Sequence, residues 1–313
     1  MYHPYFRGKQ FELITIRENA KLLKSAGFTP IIEPVQESLS GLKRTLDAVD
    51  AVSGNAVLIV NPFYGNHSDG SKEIEDLFQN ELKQREGIAV GILLKESIDV
   101  TTAMRLFTSH KGRRICFVHA GFTAGRELAN QLQQFGETAQ HVFVAEHCGK
   151  LYRRHFAGAH RVLLDDGFHK RINREHPDLE GFSDLHVTFR EEGMDGFGDF
   201  LVVGDDFADS GGPAYAVAIH LTFIDPDKDD QMFIRHFKSD RIDTPTDPAG
   251  KFAEALTKLV AEINRPGSHV QRTAAVIEFL DLHERRHFPG LGYVKKLSMS
   301  HHIETLATYL KDR

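Results

Sequence analysis

The stretch "RVLLDDGF", residues 161–168, is a short apolar run that stops at two adjacent carboxylates and a glycine. A run of this kind suits a strand covered on both faces, whereas Asp165 and Asp166 resist burial and place the strand's end near water. Comparable runs recur along the chain. They are "YHPYF" (2–6), "PIIEPV" (30–35), "AVLIVNP" (56–62), "IAVGILLK" (88–95), "RICFVHA" (114–120), "HVFVAE" (141–146) and "DFLVVGDD" (199–206). None alternates cleanly between apolar and polar, which is how parallel strands buried on both faces read. Segments with helical spacing lie between them, and several close on a glycine, Gly27 being the first such C-cap. Strand starts are separated by roughly 20 to 40 residues, the length of a βα unit.

Eight buried strands alternating with helices predict either a doubly wound sheet or a closed barrel. The first strand is followed by "RGKQFE", which lacks a glycine-rich phosphate turn, so the expectation is α/β with a (β/α)8 TIM-like barrel. The 313 residues read as one domain, with barrel strands and helices over 1–206, an added hairpin over 207–240 and C-terminal helices over 241–313. The stretch 167–198 is a long irregular insertion before the eighth strand. "AYAVAIHLTFID" and "MFIRHFKS" flank "PDKDDQ" as a β-hairpin, in which His220 reads as a satisfied, partly buried residue. Asp247 and Pro248 open a helix over 247–263, and further helices are expected at about 269–287 and 300–312.

In such a barrel the C-terminal strand ends converge on one rim, where active sites are built. The residues there are Lys9, Glu33, Asn61, Lys95, His119, Glu146, Asp165 or Asp166, and Asp205 or Asp206. Because side chains alternate along a strand, only one Asp of each pair points inward. Carboxylates sharing a rim repel unless cations intervene, so Glu146, Asp166 and Asp205 are candidate ligands for Mg²⁺ or Mn²⁺. Glu33, Glu146 and Asp166 are the candidate acid–base groups. Lys9, Asn61, Lys95, His119 and Arg153 are the candidate substrate contacts, Arg153 coming from the basic "CGKLYRRHF" (148–156).

Composition narrows the classes. A net charge of −6 argues against a generally basic nucleic-acid coat, and 41% hydrophobic residues suffice for a core. Cys116 and Cys148 form no CxxC pair, no apolar leader opens the chain and no run of about 18 apolar residues occurs. The expectation is a cytoplasmic protein without disulfides or a membrane span. "DSGGP" (209–213) matches a serine-protease nucleophile loop only superficially, since it lies among βα units; it reads as a chain-reversing turn. "HERRH" (283–287) fits the zincin pattern, His283 and His287 sharing a helix face with Glu284 as base, and His301, His302 or Glu304 as third ligand. The following "HFPGLGYVKKLSMSHH" reads as a loop crossing between two helices.

The opening "MYHPYFRGKQFELITIREN…FTPIIEPV", together with "FGDFLVVGDDFADSGGPAYAVAIHLTFID" and "FPGLGYVKKLSMSHHIET", resembles the beta family proteins of bacteria and their phages, in one bacterial branch. The resemblance spans nearly the whole chain and implies a TIM-barrel-like fold and a link to phage defence or mobile elements, beside a small nuclease-like protein. The family carries no established reaction, so it transfers no catalytic residue and only draws attention to Lys9, Glu12, Glu33, Asp205, His220 and His302. Three functions are thus expected in order: a rim enzyme acting on a phosphate-bearing or nucleotide-like substrate, a non-catalytic partner of a nuclease-like protein, and a zinc peptidase through HERRH.

Overall fold

A computed structural model describes residues 1–68, 72–136, 139–208, 212 and 214–311. They fall into two compact units, Met1–Asp165 with Thr188–Asp199, and Asp166–Val187 with Phe200–Arg313.

The first unit is the barrel. Its strands are β1 (Tyr5–Phe6), β2 (Ile31–Ile32), β3 (Ala56–Ile59), β4 (Ile88–Leu94), β5 (Ile115–His119), β6 (Gln140–Val144) and β7 (His160–Leu164). The chain then makes β8 (Leu179–Ser183) outside the barrel and returns for β9 (Gly196–Gly198). Each barrel strand pairs in parallel with the next, and β9 follows β7. The backbone of β9 also meets the first strand segment, through His3 N to Phe197 O (2.8 Å), Phe197 N to Met1 O (3.0 Å) and Tyr5 N to Asp199 O (2.9 Å). Eight parallel strands therefore form a nearly closed barrel, with helices between them, as the spacing of apolar runs predicts.

Seven of the eight expected runs hold their strands, and the eighth does not. The barrel's last strand is Gly-Phe-Gly, whereas Phe200–Gly204 is a turn closed by Val203 N and Gly204 N on Phe200 O (both 3.3 Å), with Leu201 at φ 52°. Phe200, Leu201 and Val202 are buried all the same, so their apolar character reports burial and not extension. The glycines of β9 have a steric cause. A Cβ on Gly198 would meet His3 O at 2.1 Å and Leu164 Cδ2 at 2.4 Å, and one on Gly196 would meet Met1 O at 2.6 Å. Gly27 takes the left-handed conformation expected of a helix C-terminus, at φ 68°.

The second unit is an antiparallel sheet covered by helices. Strands β10 (Ala218–Asp225) and β11 (Gln231–Lys238) form the expected hairpin, and β8, from the insertion, adds a third strand beside β11. Ile219 and Leu221 of β10 join Phe252 and Leu256 of the helix Pro248–Ile263, Phe279 of the helix Ala274–Glu284 and Leu297 of the helix Leu291–Lys311 in one core. Asp247 caps its helix, accepting from Gly250 N at 2.9 Å. The last helix begins at Leu291, earlier than about 300: Pro289 and Gly290 precede it, and Gly292 sits in its first turn, where glycine is tolerated. The "DSGGP" turn falls largely outside the described residues. No described helix is long and apolar enough to cross a membrane.

Candidate functional site

At the rim of the barrel the best-defined group is Glu33, which follows β2 and is 1% exposed. Its Oε1 accepts from Phe63 N (2.8 Å) and Tyr64 N (3.3 Å), and its Oε2 accepts from Tyr5 Oη (2.8 Å). Arg7 Nε lies 3.7 Å from the same Oε2, and Arg7 N donates to Glu12 Oε2 at 2.6 Å. Glu33 is thus committed to holding the segments that follow β1 and β3, which fits a positioning role better than the acid–base role expected of it. Gly8, at φ 57°, permits this approach, since a Cβ there would meet Glu33 O at 2.9 Å.

What Glu33 holds is a layer of rings and cations. The Arg7 guanidinium carbon lies 5.1 Å from the Tyr64 ring centre and 5.8 Å from that of Tyr5. Lys95 Nζ, at the end of β4, lies 4.9 Å from the Phe63 centre and 5.8 Å from that of Tyr64. Phe63 is 45% exposed, and Lys9, Tyr64 and Lys95 are half-buried. Sequence reasoning does not single out Phe63 and Tyr64; an aromatic pair just after a strand-end Asn-Pro is the signal it offers.

Other expected rim residues are engaged elsewhere. Asn61 bridges to β4, its Nδ2 donating to Leu93 O (2.8 Å) and its Oδ1 accepting from Leu93 N (2.9 Å), so it extends the ladder. His119 is fully buried and faces the helix layer: Ile115, Phe117 and His119 share one face of β5, where Phe107 stacks on Phe117 and Tyr152 Oη pairs with His119 Nδ1 at 2.7 Å. Its other nitrogen meets His141 Nδ1 at 2.9 Å. Arg153 is buried and donates to Glu192 Oε2 at 2.9 Å, the carboxylate that Lys150 also holds. Glu146 is exposed in a single turn after β6.

In the second unit, Asp166 Oδ1 accepts from Phe168 N (2.9 Å) and Oδ2 from Asp205 N (2.7 Å), stapling the segment 204–206. Two clusters of three or more metal-ligating side chains occur among the described residues, His176–His220–His236 and Asp225–Asp227–His269. Glu146, Asp166 and Asp205 belong to neither. Nor do His283 and His287, because the helix ends at Glu284 and Arg286 turns to φ 50°, so the two histidines do not occupy successive helical turns. His301 and His302 are core residues, bonded to Thr222 O (2.7 Å) and Thr222 Oγ1 (2.9 Å).

The histidine cluster is built by strand register. His220 and His236 are directly opposed in β10 and β11, and His236 N donates to Asp178 O, two residues after His176. Burial, then the neighbouring His176, pushes His236 down to about 4; burial and the two other rings push His220 well down, and burial chiefly lowers His176. All three are therefore neutral at neutral pH. Beside them, burial would raise the Glu180 carboxyl, but the hydrogen bond and charge of Arg171 hold it below the usual range. The hairpin bounds alone would have paired these histidines, since each lies five residues from the facing strand end, Asp225 or Gln231.

Comparison of the chain with protein-family models, curated proteins and solved structures found no match.

Proposed function

We propose that the rim of the barrel unit binds a phosphate-bearing, nucleotide-like molecule. The carrying observation is the layer of Arg7, Tyr64, Phe63 and Lys95 held from beneath by Glu33. An exposed ring next to an ammonium group offers a base a stacking surface and a phosphate a counter-charge. Lys9, half-buried just before the helix Gln10–Glu18, adds a second cation at the same strand ends.

Calorimetric titration with ATP, ADP, adenosine and inorganic phosphate tests the proposal. Lys95→Ala is expected to weaken nucleotide binding about tenfold with little effect on adenosine, and Phe63→Ala to weaken nucleotide and nucleoside alike. Nucleotide binding that is absent, or unchanged in both variants, overturns it. That result would favour the alternative of a non-catalytic partner for a nuclease-like protein.

A further inference from the structure

Three imidazoles meet on one face of the second unit's sheet. Directly opposed residues of antiparallel strands project to the same side, which brings His220 and His236 together, and the backbone bond from His236 to Asp178 draws the segment carrying His176 alongside. The ring centres are 4.4 Å (His176–His236), 4.9 Å (His220–His236) and 5.0 Å (His176–His220) apart. One ring nitrogen from each residue lies within 4.8 Å of those from the other two. Phe168 packs on His176 and His220, with ring centres at 5.4 and 5.1 Å, so one wall of the cluster is apolar.

Two features point to a ligand and not to mere packing. His176 is 2% exposed, yet its Nδ1 has no partner within hydrogen-bond distance, the nearest acceptor being Glu180 Oε1 at 3.8 Å. The nearby carboxylate sits where a supporting group belongs: His236 Nε2 lies 3.1 Å from Glu180 Oε1 and donates to it, which leaves His236 Nδ1 with its lone pair facing His220 Nδ1 at 2.7 Å. A carboxylate behind a ligating imidazole fixes the tautomer and raises the basicity of the coordinating nitrogen. Arg171 shares this carboxylate at 2.6 Å and Lys238 pairs with Asp178 at 3.1 Å, so these two cations have acidic partners, while Lys295 also faces His220.

We propose that His176, His220 and His236 bind a divalent transition-metal ion of the Zn²⁺ type, with Glu180 orienting His236 from behind. Tetrahedral zinc–imidazole geometry sets ligand nitrogens roughly 3.3 Å apart, which requires the His220–His236 pair to open slightly and His176 to move in. The ion replaces the proton shared by those two nitrogens, and His220 keeps that proton on Nε2, so no net proton is released. Three protein ligands leave a fourth position on the half-exposed side of His220. The cluster of Asp225, Asp227 and His269 is the weaker alternative, since Asp227 is 85% exposed and His269 Nε2 already lies 3.6 Å from Asp225.

The test uses the whole chain, stripped with a chelator and titrated with Zn²⁺ by calorimetry and with Co²⁺ by visible absorption. One equivalent is expected, with a tetrahedral cobalt spectrum. His176→Ala should weaken binding at least about 100-fold and Glu180→Gln about tenfold. Should His176→Ala fail to fold by circular dichroism, His220→Gln, at a half-exposed position, is expected to show the same loss. The proposal is overturned if no stoichiometric uptake occurs, if uptake survives in both histidine variants, or if His269→Ala abolishes it instead.

Discussion

Glu33 is a charged residue at a fully buried position, and it is stable there because its two oxygens accept from two backbone amides and a tyrosine hydroxyl beside an arginine. Glu33→Ala removes those acceptors together and withdraws the negative charge from Arg7, so a loss of about 3–5 kcal/mol is expected. Glu33→Gln retains an acceptor oxygen and should lose about half as much. Urea unfolding followed by circular dichroism distinguishes the two, and an alanine variant as stable as the parent would remove Glu33 as the rim's anchor. At this scale the sequence was only partly legible. Glu33 and Lys95 are legible as strand-end residues because a charge at the end of an apolar run stands out. Asn61 and His119 stand out in the same way, but what they do depends on strand parity and on a neighbouring strand's free amide. His176 lies dozens of residues from the hairpin that pairs His220 with His236, and His220 alone reads as a satisfied, partly buried residue.

Strand β9 shows how an element can be inverted in appearance. A residue squeezed between the β1 and β7 backbones must be small, so the true strand is Gly-Phe-Gly, while the apolar run beside it folds into a buried turn. Composition identifies burial more readily than extension, which is why the run 199–206 reads as a strand. The steric account gives a prediction. Gly198→Ala places a methyl 2.1 Å from His3 O, a contact that backbone must shift to relieve, and it should lower stability by about 3 kcal/mol or more. Gly149→Ala meets nothing within 4 Å at φ −63°, and should change stability by less than about 0.5 kcal/mol. Thermal unfolding of the pair checks this; equal effects would mean that the close approach at β9 is not what selects glycine. The hairpin β10–β11 and the Asp247-capped helix were legible because local turn and cap chemistry fixes them.

Across the whole molecule, eighteen histidines make acid stability a collective property. Burial holds His3 and His141 down to about 3 and His301 to about 4, and drives His119 well below its ordinary value. Each takes up a proton near pH 6.5 once unfolded. A depressed folded value contributes stability that is complete above about pH 6.5 and is lost as pH falls toward 3–4, at up to about 1.4 kcal/mol per pH unit for each group. Urea midpoints should therefore fall steeply between pH 7 and pH 5, with several protons bound on unfolding; a flat profile would contradict neutral burial of these rings. The barrel itself was legible from the count and spacing of apolar runs. The division into two units was not, because the segment that leaves after β7 and returns as β9 contributes its strand β8 to a sheet whose other members lie beyond residue 217.

That interleaving bears on how the chain is made. A ribosome delivers residues in order, so every strand of the first unit exists once Asp199 has emerged, and its assembly can proceed during translation. Leu179–Ser183 emerges earlier still but waits, with an unsatisfied edge, until Gln231–Lys238 is synthesised. During that interval the nascent polypeptide carries an open template for mispairing, and slower elongation past residue 199 would lengthen its exposure to aggregation or to chaperone capture.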